Sequence, residues 1–163
     1  LLVLAFALAH PERVASLVLV DALVPDETWI DTVSTTLKKG GRERDRVIIE
    51  SFREWTGRYK NPGNTRLAKV AERLVHGTTL LDDLATSRSF GSEDFGRIRC
   101  PVLAFYGEHS EEGARGEQLA AALPNCGLQI LPGGSHVILL ESTAGLRDRI
   151  IDWLDRQPDS AGG

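Results

Sequence analysis

His136 closes the stretch Pro132-Gly133-Gly134-Ser135-His136, a tight loop that follows an apolar run, Leu128 to Leu131, readable as a strand. Histidine is the side chain whose charge changes between pH 5 and 8, so it suits proton transfer. On a glycine-bearing loop after a strand it can be both fixed and exposed, as a general base must be. Glu141 lies shortly downstream and adds a carboxylate to the same region. One chemistry such a residue can serve is acyl transfer, in which a base removes a nucleophile's proton and later returns it to the leaving group; the competing reading is a surface loop histidine with no partner.

The other histidines are weaker candidates. His10 stands before Pro11 and reads as the end of a helix, His76 falls in a helical stretch where it either lines a pocket or faces solvent, and His109 reads as an exposed loop residue. None of the four histidines lies in an H-E-x-x-H pattern, and Cys100 and Cys126 have no metal-ligand spacing, so no metal and no organic cofactor is expected. Two cysteines make no disulfide framework either, which fits a reducing compartment and a cytoplasmic protein.

The composition bounds the rest. With 163 residues, 42% hydrophobic and 26% charged, the chain has the size and make-up of one globular domain, not of a disordered or collagen-like protein. A net charge of -4 argues against nucleic acid as a partner. The basic run of Lys38, Lys39, Arg42, Arg44 and Arg46 is interrupted by Glu43 and Asp45, and reads as a solvated helix face. Residues 1–9 are apolar but far short of the ~20 residues that span a bilayer, so no membrane association is expected. The sequence contains no Met and opens with Leu1 inside this apolar stretch, which leads us to expect a piece of a longer protein.

The elements that must position His136 follow an α/β pattern. Residues 1–9 (LLVLAFALA) read as a helix buried all round, ended by His10-Pro11. Residues 15–20 (ASLVLV) read as a strand buried on both faces. From residue 23 to 98 no strand is expected. Helices are expected at about 26–38, 42–57, 65–76 and 79–88, with breaks at Gly40-Gly41 and at Asn61-Pro62-Gly63-Asn64. Phe52 and Trp55 share one face there, and with Tyr59 are expected to pack within this helical region. The α/β pattern resumes with a strand over Pro101 to Tyr106, a helix from Gly116 to Leu123, and a strand from Leu128 to Leu131. A last helix, capped by Ser142 or Thr143, reaches Leu154 with Trp153 and Leu154 on its apolar face. Residues 158–163 read as a disordered tail.

Three segments then carry a resemblance. The opening stretch from Leu1, with AHPERVASLVLVD at its end, resembles the segment that follows the nucleophile elbow in α/β hydrolases, CPVLAFYGEHS the segment that ends in their catalytic acid, and ALPNCGLQILPGGSHVILLES the segment that bears their catalytic histidine. The matches cover about a third of the chain and fall in family order. They imply a partial α/β-hydrolase fold: three parallel strands with flanking helices and an inserted helical cap. Residues 1–22 would be core, 23–98 the cap or lid, and 99–157 core again, with the acid and histidine loops. The family's nucleophile motif, G-x-S-x-G, occurs nowhere in the 163 residues, so the nucleophile and oxyanion hole are expected in a missing N-terminal half of the same fold. Without that half, the edge of the strand at Leu17 to Val20 would stay unpaired and promote association.

The resemblance makes His136 the general base and leaves its acid open. The family's acid position, in Gly107-Glu108-His109-Ser110, is occupied by Ser110, which cannot balance an imidazolium. Asp21 closes the strand Leu17 to Val20, where some relatives, including haloalkane dehalogenases, carry their acid, so it is the first choice. Glu111, with its neighbour Glu112, is the second. Trp29 follows closely on Asp21 and is expected to line an apolar substrate pocket. The implied activity is hydrolysis of an ester or related acyl bond of a small apolar molecule, with the isolated chain inactive. Acyl transfer and lyase chemistry on the same triad, or a non-catalytic ligand receptor or regulator, remain open alternatives.

Overall fold

The structure, a computed structural model, describes residues 2–24, 27–39, 41–44, 46–47, 50, 70, 73–86 and 89–157. Its elements are α1 (Leu2–Ala9), β1 (Leu17–Val20), α2 (Glu27–Lys38), α3 (Leu80–Thr86), α4 (Ser92–Phe95), β2 (Val102–Gly107), α5 (Gly113–Ala122), β3 (Cys126–Leu131), α6 (Ile138–Glu141) and α7 (Thr143–Leu154). The strands form one parallel sheet in the order β1-β2-β3. The chain divides into two compact units, Leu1–Val24 with Phe90–Gly163, and Pro25–Ser89.

β2 is the centre of the first unit, and every one of its residues is buried. Its run of apolar residues without alternation is what a strand covered on both faces requires. On one face Val102, Ala104 and Tyr106 join Leu17 and Leu19 of β1, Leu4 and Ala7 of α1, Phe95, Ile98, Leu119 and Leu123. On the other, Leu103 and Phe105 meet Leu131, Ile138 of α6 and Leu146 of α7. Helices thus cover the sheet on two sides. Burying side chains of this size contributes roughly 1.5–3 kcal/mol each.

Several expectations need correction. α1 is not buried all round: Leu4 and Ala7 face the core, whereas Leu2, Val3 and Phe6 are exposed. A helix with apolar residues on every side carries no sequence signal of which side meets the sheet. The position of β1 needs no correction: it sits at the edge of the sheet and, among the described residues, pairs with β2 alone. Ser142 stands at the N-cap of α7 without a side-chain capping bond, and Thr143 instead donates back to the Leu139 carbonyl at 2.6 Å. The short helix α6 just upstream has already taken that turn. Leu154 is exposed, while Trp153 packs on the core.

The second unit is helical in its described residues, with α2 and α3 in contact. Here the basic run is corrected at one position. Arg42 is exposed and Lys39 pairs with Glu43 at 3.3 Å, but Arg44 is almost fully buried. Successive helical residues turn by about 100°, so a run of like residues cannot all share one face. Trp29 stands half-buried on α2, and His76 is exposed. The expectations for Phe52, Trp55, Tyr59 and the 158–163 tail fall outside the described residues.

Candidate active site

The carboxyl ends of parallel strands are where α/β sheets place their ligand sites, and the three ends here converge. Val20 pairs with Phe105, and the Asp21 N–H donates to the Phe105 carbonyl at 2.7 Å, so Asp21 lies one step beyond the pairing. Its backbone turns sharply at φ 45°, a left-handed conformation that costs a non-glycine residue energy. Asp21 is only 5% exposed. A buried carboxylate must be satisfied by donors, and three reach it. The Gly107 N–H donates to Oδ2 at 3.0 Å, the Ser110 hydroxyl donates to Oδ1 at 2.5 Å, and His136 Nδ1 meets Oδ1 at 3.1 Å.

The histidine loop is held by its own set of bonds. The Glu108 N–H donates to the Leu131 carbonyl at 3.0 Å and the His109 N–H to the Gly134 carbonyl at 2.8 Å, which laces the loop after β2 to the loop after β3. Gly133, at φ 67°, makes the turn, and its N–H donates to Glu108 Oε2 at 2.7 Å. Gly107 allows the two loops to touch: a Cβ there would lie 2.5 Å from the Gly134 carbonyl oxygen. Glu141 accepts from the Ser135 N–H at 2.8 Å and the Ser135 hydroxyl at 2.9 Å, fixing the backbone next to His136.

Of the residues singled out in the sequence, the structure therefore brings His136 and Asp21 together. Glu111 is exposed in the turn before α5, and Glu112 pairs with Arg115 at 3.4 Å. His109 is exposed and takes part through its backbone, and His10 ends α1, its N–H bonded to the Phe6 carbonyl at 2.8 Å. The bonding roles of Ser110, Gly107 and Glu108 were not read from the sequence, and Glu141 was noted only as a carboxylate near His136. The one available signal was Ser110 itself, a hydroxyl where a carboxylate was expected.

The electrostatics follow from the contacts. The Asp21 hydrogen bond holds the His136 pKa above its ordinary value against the opposing effect of burial, with further help from the charges of Asp21, Glu112 and Glu111. Tyr106 lies beneath the site, its phenol pushed well up by burial and then by Asp21, so it stays neutral and donates to the Ala22 carbonyl at 2.9 Å. Because the native His136 pKa is raised, the pair's contribution to stability is fully present below about pH 6.5 and is lost as pH rises through the raised native value. Urea midpoints of the chain are thus expected to fall over that window by more than those of His136→Gln. Parallel curves for the two proteins would show that the pair does not form in solution.

No family model and no curated protein matches the chain. Solved structures do. An esterase from Thermogutta terrifontis superposes with a TM-score of 0.72 at 18% identity, covering 94% of this chain and 60% of its own. The esterase RhEst1 from Rhodococcus sp. ECU1013 gives 0.72 at 16%, covering 96% and 62%. The enol-lactonase from Burkholderia xenovorans LB400 gives 0.67 at 18%, covering 94% and 61%. At these identities the likeness is one of fold: the chain has part of an α/β-hydrolase fold. It spans about three fifths of the length of the structures it matches. Among the described residues, no helix is long and apolar enough to cross a membrane, and no three His, Cys, Asp or Glu side chains group so as to hold a metal ion.

Proposed function

We propose that this chain supplies the base and the acid of a hydrolase that cleaves an ester or related acyl bond of a small apolar molecule. The observation that carries the reading is the 3.1 Å contact between His136 Nδ1 and buried Asp21 Oδ1. A carboxylate on Nδ1 fixes the tautomer in which Nε2 carries no proton and can act as the base, and it stabilises the imidazolium once Nε2 has taken a proton. Nε2 would remove the hydroxyl proton of a nucleophile as that oxygen attacks the acyl carbon. It would then pass the proton to the departing alcohol and repeat the exchange with water. The nucleophile and oxyanion donors belong, in this reading, to a nucleophile-bearing half of the same fold, since the 163 residues contain no G-x-S-x-G. The names of the esterases and the enol-lactonase of similar fold support an acyl substrate. A receptor with a degraded triad was suggested by Ser110, but a carboxylate in contact with His136 favours the enzyme.

The purified chain is expected to release no p-nitrophenol from p-nitrophenyl acetate above the buffer rate. Co-expression with a nucleophile-bearing half should give turnover that His136→Ala abolishes. Turnover by the purified chain alone, lost on His136→Ala, would place the nucleophile within these residues and overturn this division of labour.

A further inference from the structure

Ser110 contributes more than a gap where an acid was expected. Its hydroxyl oxygen accepts the Glu112 N–H at 3.2 Å while its O–H donates to Asp21 Oδ1 at 2.5 Å. The second donor on that same carboxylate oxygen is His136 Nδ1. Glu112 N–H, Ser110 hydroxyl, Asp21 and His136 thus form one chain of bonds. A hydroxyl whose oxygen already accepts is a better donor, because successive hydrogen bonds polarise one another. A carboxylate oxygen that receives a strong hydroxyl bond has less charge to offer its other partner.

We propose that Ser110 is a positioning residue of the acid that also weakens it: by occupying the oxygen that faces His136, it limits how strongly Asp21 holds the imidazole. The inference rests on the reading of Asp21 as the acid. It makes a sign prediction that a merely structural role does not. If Ser110 only held Asp21 in place, its loss would loosen the pair and lower the proton affinity of His136. If it competes for Asp21, its loss raises that affinity.

Other titratable and charged groups surround the pair. Just past β1 comes Asp21 itself; from β2, Tyr106, which stays neutral; from the turn before α5, Glu108, His109, Glu111 and Glu112; from α5, Arg115, paired with Glu112; and from the end of α6, Glu141, bonded to Ser135. A change at Ser110 removes none of these charges; besides the bond to Asp21 it takes away only the acceptor of the Glu112 N–H.

The test is an NMR titration of the His136 ring in the full 163-residue chain. Ser110→Ala is expected to raise the His136 pKa by about half a unit, roughly threefold in proton affinity, and Ser110→Thr, which keeps a hydroxyl, to restore the original value. An unchanged or lowered pKa in Ser110→Ala overturns the inference. Asp21→Asn in the same series separates the two readings. If that substitution leaves the His136 pKa where it was, the pairing of Asp21 with His136 fails, whatever Ser110 does. If it lowers the pKa while Ser110→Ala does not raise it, the pairing stands and only the role of Ser110 falls.

Discussion

Asp21→Asn is expected, on the proposed role of Asp21 as the acid, to lower ester hydrolysis by the chain joined to a nucleophile-bearing half by about 10⁴-fold, the loss found when a triad acid becomes an amide. The substitution keeps the shape of the side chain, so the Gly107 N–H, 3.0 Å from Oδ2, retains an oxygen to bond if the amide turns that atom toward it. What changes is the partner of His136. An amide cannot balance an imidazolium, and its NH₂ group facing Nδ1 would hold the ring in the tautomer that carries its proton on Nε2. KM should change little, because Asp21 is buried beneath the histidine. In this chain alone the same substitution should lower the His136 pKa, since its largest raising cause is removed while burial remains. Glu111→Gln is the control, and its exposed carboxylate should matter little. A large loss with Glu111→Gln and none with Asp21→Asn would transfer the acid role to Glu111.

The second large effect is expected at Gly107. An alanine Cβ there would lie 2.5 Å from the Gly134 oxygen, 2.6 Å from the Ser135 oxygen and 2.7 Å from the Gly134 carbonyl carbon. All three are backbone atoms, and the loop that carries them is bonded on both sides, through the His109 N–H and through Glu141. The clash therefore has no flexible side chain to move aside. Gly107→Ala should cost about 3 kcal/mol, the upper part of the range for overpacking, read as a lower urea midpoint. It should also lower the His136 pKa, because relief of the clash moves the histidine loop away from Asp21. Gly145→Ala provides the contrast. That glycine lies in α7 with open space around it, and alanine there should stabilise by roughly 0.5–1 kcal/mol. Equal midpoints for Gly107→Ala and the unmodified chain would show that the two loops are not in close contact in solution.

How much of this was legible in the sequence depended on whether the signal was local. Leu17–Val20 and Val102–Gly107 are continuous apolar runs of strand length, and they are strands. His136 on its glycine-bearing loop was equally plain. The site itself is long-range. Ser110 and Asp21 are 89 positions apart, and His136 and Asp21 are 115 apart, so nothing in a local window shows that they meet. The left-handed turn at Asp21 was invisible for a related reason: aspartate tolerates that conformation but does not announce it. The exposed side of α1 and the buried Arg44 were hidden because apolar and basic runs have no distinguishable faces. Hydrophobic pattern gave the sheet; the resemblance put Asp21 first among the candidates, and only pairing in space brought it to His136.

The convergence on Asp21 Oδ1 bears on how such a site can change over generations. Side chains from the ends of two neighbouring strands, Asp21 after β1 and Ser110 after β2, reach the same point beside His136. Either position is thus a possible address for one negative charge. A lineage could acquire a carboxylate at the second address before giving up the first, with no step that leaves the histidine unpaired. Parallel strands about 4.8 Å apart make that substitution of one address for another short in space, although the two residues are far apart along the chain.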